Sequence, residues 1–394
     1  MQNTEYDSIT ASELRGRGSL KWTTYPDTIG AFVAEMDFGL APAVSDALHA
    51  AVDGAVTGYL PQDLAERMSA ATAAWYSESY GWDVPAAWVH PVADVIAAFG
   101  VAIEKYSAAG SKVIVPTPAY MPFLFVPPAL GREVIEVPSI EVDGRWVVDL
   151  AGIERAFDDG GHLLVLCNPH NPLGTVATRS ELLAISELVE RAGGRVFSDE
   201  IHAPLVYPGG AHVPYASVSA AAAAHTVTAT SASKAWNLAG LKCAQVILSN
   251  EADEAHWQTF GFLTSHGAAN LGVIGNTAAY TAGRAWLADV LEYLDGNRRL
   301  VGELVAEHLP RVRYTAPEGT YIAWLDFRDC GVEGDLAEFF RTRAGVAVSD
   351  GVACGAVGAG FARFVFALPR PVLREAFARM GDALRRGSGA VTPG

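Results

Sequence analysis

The sequence predicts an α/β protein: a large domain with a mostly parallel sheet flanked by helices, plus a smaller α+β domain. Three observations carry that expectation. Between about residues 90 and 250, short apolar runs alternate with helical stretches of crossover length. Those runs lack a polar/apolar alternation, as strands covered on both faces do. After about residue 284 the texture changes, with one long helical stretch leading into strands and helices in mixed order.

Taken in order, a helix with apolar positions Val92, Val95, Ile96, Phe99 and Ile103 is expected to start just after His90-Pro91. The strand candidates are "KVIVPT", "LLVLCNP", "RVFSDE", "TVTAT" and "CAQVILS". Between the second and third, "TRSELLAISELVERAGG" carries a capping box, Thr178 with Glu181, and a glycine stop at Gly193. The alanine run Ala220–Ala224 reads as a connection packed on the surface. From residue 284 a long helix leads to the strand "TYIAWLDF", a helix near "GDLAEFFRTRAG", the strand "RFVFAL" and a final helix from Pro371. The expected division is 1–44 as an N-terminal segment of the small domain, 45–284 as the large domain and 285–394 as the small C-terminal domain. The "GSGAVTPG" tail is expected to be disordered.

Composition narrows the function. A chain of 394 residues, half of them hydrophobic and 18% charged, has the material for a large core. The net charge of −16, with no basic tract to offset it, excludes a nucleic-acid or anionic-membrane partner. Cys167, Cys243, Cys330 and Cys354 are widely spaced, without CxxC or a metal-ligand pattern, and read as reduced thiols. The start "MQNTEYDSIT" lacks the apolar core of a signal peptide, and no apolar run nears the roughly 20 residues of a spanning helix. A cytoplasmic location is the expectation. The glycine cluster "GVACGAVGAG" precedes a strand rather than joining strand to helix, the wrong context for a dinucleotide fingerprint.

Sheets of this kind bind ligands beyond the carboxyl ends of their strands. One candidate strand ends in "CNPHNPLG", with Asn168 and Asn171 in a Pro-rich turn. The next ends in "SDEIH", with Asp199, Glu200 and His202, and a third in "SASK", with Ser231, Ser233 and Lys234. Singly, each also reads as turn chemistry, a helix cap or a solvated lysine. Together, in this order and each at a strand end, they form a coherent polar set of acid, amide and amine.

The segments "FVAEMDF", "TGYLP", "PTPAYMPF", "CNPHNPLG", "SDEIHAPLVY" and "SASKAWNLAGLK" resemble pyridoxal-phosphate (PLP) enzymes of fold type I, the aspartate-aminotransferase superfamily. The resemblance covers nearly the whole chain and looks most like the MalY/PatB group of cystathionine β-lyases, or C–S lyases. It implies that Lys234 is covalently tied to the cofactor aldehyde at rest and, once substrate displaces it, acts as a base of lowered pKa. Asp199 would keep the cofactor's ring nitrogen protonated. Asn171 would reach the ring's phenolic oxygen, with His202 near the same atom, and Tyr120 would stack on the ring face. Ser231, Ser233, Lys242 and the backbone of Ala93 and Asp94 would serve the phosphate at a helix start. Tyr59 would reach that phosphate from a neighbouring subunit, which implies a homodimer with shared sites. Arg363, with Asn171, would bind the substrate carboxylate. One departure stands out: "HPVADV" puts Asp94 where relatives carry glycine or small apolar residues. Asp94 would either repel the phosphate or point away to cap the helix.

The activity so implied is α,β-elimination from cystathionine or another cysteine S-conjugate, giving a thiol, pyruvate and ammonia. The same residues would serve a class I/II aminotransferase, or a decarboxylation-linked oxidative deaminase of an elaborated cysteine conjugate.

Overall fold

A computed structural model describes residues 2–388. Most of the "GSGAVTPG" tail lies outside the described residues, and its first two residues complete the helix Arg370–Ser388. Seven strands form the main sheet: β1 (Val89–Val92), β2 (Lys112–Thr117), β3 (Val134–Pro138), β4 (Gly161–Cys167), β5 (Arg195–Asp199), β6 (Thr226–Thr230) and β7 (Ala244–Leu248). Their order is β1-β7-β6-β5-β4-β2-β3. The pairs from β6 across to β3 are parallel, and β7 alone runs antiparallel to both its neighbours.

Both faces of this sheet are dry, which is why its strands read as unbroken apolar runs. Val113, Val115, Leu163, Val165, Phe197 and Val227 point to one face, against the helix Val95–Lys105. Ile114, Leu164, Leu166 and Val196 alternate to the other, against the helices Leu150–Asp158 and Arg179–Ala192. The capping box of the latter helix forms as expected: Thr178 Oγ1 accepts from Glu181 N and Glu181 accepts from Thr178 N, with Gly193 left-handed at φ 63°.

Two expectations are corrected. Val92 belongs to β1, not to the following helix, which begins at Val95 with Asp94 as its cap. His90–Val92 pair with β7 at the sheet's edge, where Pro91 faces Gln245 and a missing N–H is tolerated. The alanine run is a short helix, Ala220–His225, capped by Ser219, and its Ala222 is fully buried.

A second, antiparallel sheet follows the long helix Arg284–His308. Its strands are β8 (Arg313–Tyr314), β9 (Ile322–Asp326), β10 (Ser349–Asp350) and β11 (Phe361–Val365), in the order β8-β9-β11-β10. The N-terminal segment joins that side of the molecule: Ile29–Gly30 pairs in parallel with Val346–Ala347. All four cysteines are free and buried. Among the described residues no helix is long and apolar enough to cross a membrane.

Candidate active site

Four adjacent parallel strands, β6, β5, β4 and β2, end at one edge of the main sheet. Lys234 lies in the turns just past β6, Asp199 is the last residue of β5, Asn171 lies in the turn past β4 and Tyr120 in the turn past β2. Facing them from the second sheet, Arg363 on β11 donates from Nε to Asn171 Oδ1 at 3.0 Å. Its Nη1 donates to Phe32 O at 2.9 Å. Arg363 is 1% exposed and has no ion-pair partner among the described residues. A buried guanidinium without a counter-charge is costly, so this one is set for an anion that arrives with a ligand.

The titrating groups are tuned in opposite directions. Burial, and then the Arg363 charge, lower Lys234 to about 8, while Glu35 and Asp199 oppose the shift. Burial pushes Asp199 up to about 7, although the Ile201 N–H on its Oδ1 and the Lys234 charge pull it down. The Asp199 Oδ2 faces only the Cys167 thiol, at 3.9 Å. Burial, followed by the Lys234 and Arg363 charges, drops His202 well below the usual imidazole range. Its ring is neutral, and its buried Nδ1 lacks a hydrogen-bond partner among the described residues. Glu200 turns away and is fully buried, held by Ser198 Oγ, the Tyr215 N–H and His212 Nε2 at 3.0–3.1 Å. It pins the segment that carries Asp199 and His202.

One component lies in the quoted segment "FVAEMDF", to which the sequence assigned no role. The irregular strap Phe32–Met36 presents the carbonyls of Phe32 and Ala34 to Arg363 and Lys234, and that of Met36 to Asn237. Phe32 O accepts from Arg363, and Ala34 O accepts from both Lys234 Nζ and Tyr321 Oη at 3.0 Å. Met36 is held at both ends of its peptide by Asn237, at 2.9 Å each. On the strap's other side, Glu35 O and the Asp37 carboxylate receive the buried Lys21 amine, at 3.1 and 3.0 Å. Backbone carbonyls are the same in every residue, so sequence could not point to them. Tyr321 and Asn237 were likewise not anticipated.

On the phosphate side implied by the resemblance, Asp94 Oδ1 accepts from Ala97 N at 2.8 Å, capping the helix Val95–Lys105. Its Oδ2 receives Lys242 Nζ at 2.9 Å. Lys242 comes to this edge because it precedes β7, which runs the other way. Ser231 Oγ is spent on Cys243 O and on Ser233 Oγ, both at 2.7 Å. Tyr59 stands apart from this cluster. It is 93% exposed on the wall of an open surface cavity of about 870 Å³, shared with Phe262.

Residues 32–380 match the family model "Aminotransferase class I and II". The chain belongs to that family. It is 39% identical to a cystathionine beta-lyase of Corynebacterium glutamicum, over 94% of this chain and 98% of the relative. It is 30% identical to the cystathionine beta-lyase PatB of Bacillus subtilis, with coverages of 94% and 98%. Its fold superposes on cystalysin from Treponema denticola, solved with a pyridoxal 5'-phosphate cofactor, with a TM-score of 0.89 at 29% identity, covering 97% and 99% of the two chains.

The donor set fits the cofactor that the sequence resemblance implies. Among the described residues, an amine bonded to one carbonyl, a buried carboxyl whose Oδ2 meets only the Cys167 thiol and an imidazole nitrogen without a partner lie at one sheet edge. A heteroaromatic ring bearing an aldehyde and a basic nitrogen satisfies the first two together.

Proposed function

We propose that the protein is a PLP-dependent carbon–sulfur β-lyase that cleaves cystathionine or related cysteine thioethers to a thiol, pyruvate and ammonia. The observation that carries this reading is the uncompensated, buried Arg363 guanidinium beside an amine and a carboxyl poised near neutral pH, in a chain whose similar relatives carry that name. PLP, when bound, supplies an aldehyde for amines and a ring that takes up the electron pair left by the departing Cα proton.

The chain's residues do the rest. Arg363, aligned by Asn171, binds the substrate carboxylate. Asp199 accepts the ring N–H and stays ionised against that cation. Tyr120 covers the ring face, and His202, being neutral, adds no charge beside the phenolic oxygen. Ser233, Lys242 and the backbone of Ala93 and Asp94 hold the phosphate, with Ser231 orienting Ser233. Lys234 would join the cofactor aldehyde at rest and, as a free amine, would take the Cα proton and could pass it to the departing thiolate. The supposed clash at Asp94 is avoided if its carboxylate remains on Lys242 and Ala97 N.

We also propose a homodimer in which Tyr59 completes the neighbour's phosphate site, a cytoplasmic location, and a division at residues 44 and 284 consistent with the pairing of Ile29–Gly30 and Val346–Ala347. The deciding experiment incubates the cofactor-loaded protein with cystathionine and other cysteine thioethers, with and without a keto acid. Pyruvate released without keto acid supports the lyase, and strict dependence on keto acid makes it an aminotransferase. Lys234→Ala is expected to lose both the visible absorption of bound cofactor and pyruvate release. Survival of the band would refute the assignment of Lys234.

A further inference from the structure

We propose that Tyr321 is a positioning residue for Lys234: its hydroxyl shares the Ala34 carbonyl with the Lys234 amine and thereby sets how tightly that carbonyl holds the amine. The proposal rests on the reading of Lys234 as the working amine. It arises from a geometry that the roles above leave unused, two donors at 3.0 Å on one backbone oxygen.

A carbonyl oxygen has two lone pairs and can accept both bonds, but each donor draws density from the other. The Lys234 bond is charge-assisted only while the amine carries its proton. A carbonyl engaged by Tyr321 is therefore a weaker partner for the ammonium, which favours the neutral amine. Tyr321 is fully buried and precedes β9, so its hydroxyl is fixed to the second sheet. Its ring stands edge-on to His202, with centroids 6.0 Å apart.

The sign of the effect follows from what else holds the strap. Phe32 O is anchored by Arg363 Nη1 at 2.9 Å and Ser349 Oγ at 3.4 Å, and Met36 is anchored twice by Asn237. Loss of the Tyr321 hydroxyl therefore leaves the Ala34 carbonyl in place, wholly available to Lys234. The charged form gains, and the amine gives up its proton at higher pH. The other groups facing Lys234 are Asp199 from β5, Arg363 from β11 and Glu35 from the strap. His202 beyond β5 stays neutral across the relevant range. Tyr321→Phe changes none of these charges.

The test uses the full-length protein freed of cofactor. Short acetic anhydride pulses across pH 6 to 10, read by mass spectrometry of the peptide containing Lys234, give the midpoint at which its amine becomes reactive. For Y321F the midpoint is expected to rise by about one pH unit, which is about tenfold less labelling at pH 7. An unchanged or lowered midpoint overturns the proposal. If Y321F does not fold, 3-fluorotyrosine at position 321, a stronger donor of the same shape, is expected to lower the midpoint, and no change then overturns it. No cofactor takes part in the labelling. Failure here leaves the reading of Lys234 as the working amine standing, whereas failure of that reading is a visible band that survives Lys234→Ala.

Discussion

Asp199 shows what a single working residue costs the fold. Its carboxyl, ordinarily near 3.8, sits near 7 in the folded protein because burial disfavours its charge. With the folded value above the unfolded one, the cofactor-free protein loses stability as pH rises from about 4 to about 7, and the loss is complete above that. A displacement of that size corresponds to at most about 4 kcal/mol. Asp199→Asn, equal in shape and uncharged, is therefore expected to raise the melting temperature of cofactor-free protein at pH 8. The gain should vanish near pH 4, and pyruvate release should be lost by several orders of magnitude. Melting curves at the two pH values check the first part; a gain that does not depend on pH would mean that the carboxylate is not the source of the strain. Arg363 makes the complementary case. Lysine at this position keeps the charge but cannot hold Asn171, Phe32 O and a planar carboxylate together. Arg363→Lys is expected to lower kcat/KM by roughly 100-fold, about 3 kcal/mol, mostly through KM.

At the scale of elements, the turn after β4 is tied to the segment leading into β9. Gly174 O accepts from the backbone N–H groups of Glu318 and Gly319, at 2.8 and 2.9 Å. The Glu318 carboxylate returns to Val176 N at 2.7 Å and to Arg145 Nε at 2.8 Å. This joint ties the turn that carries Asn171 to the segment that leads into Tyr321. Gly174 has φ +71°, and a Cβ there would lie 2.3 Å from Pro317 Cβ. Gly174→Ala is expected to cost roughly 2–4 kcal/mol and to impair turnover, since left-handed strain and a clash add. Gly193→Ala, at φ +63° with nothing within 4 Å, bears only the strain, about 1 kcal/mol, and should leave turnover intact. Denaturant unfolding of the two variants separates the two effects. The same contrast explains what was legible in the sequence. Five core strands declared themselves through runs rich in Val, Ile, Leu or Thr, and the polar tips at Asn171, Asp199 and Lys234 followed from where those strands end. β1 was hidden by Pro91, which only its place at the edge permits, and Val92 was drawn into the helix pattern because both elements bury it. The strap was hidden because it acts through carbonyls. The use of Asp94 as a cap was one of two alternatives, whereas its pairing with Lys242 was not anticipated, because only the fold brings residue 242 to residue 94.

For the whole molecule, the outstanding feature is the exposure of Tyr59, the residue proposed above to serve a neighbouring subunit. Tyr59 is 93% exposed, and Phe262, which lines the same cavity, is 76% exposed. Exposed aromatic side chains at an open cavity fit the proposed homodimer, in which a second copy related by a two-fold axis would cover them. Shared sites make a sharp arithmetic prediction. In a dimer of one Lys234→Ala chain and one Tyr59→Ala chain, the first site lacks both groups, while the second combines an intact Lys234 with the partner's intact Tyr59. Purified through two different tags, such heterodimers are expected to recover about half the activity of wild-type dimer, although each parent homodimer is impaired. If Tyr59 served its own subunit, both sites of the heterodimer would carry a defect and no activity would return. Failure to recover any doubly tagged species would remove the dimer itself. The measurement thus tests at once whether the exposed face is an interface and whether Tyr59 crosses it, because only a residue that crosses can restore a site whose own chain has lost it.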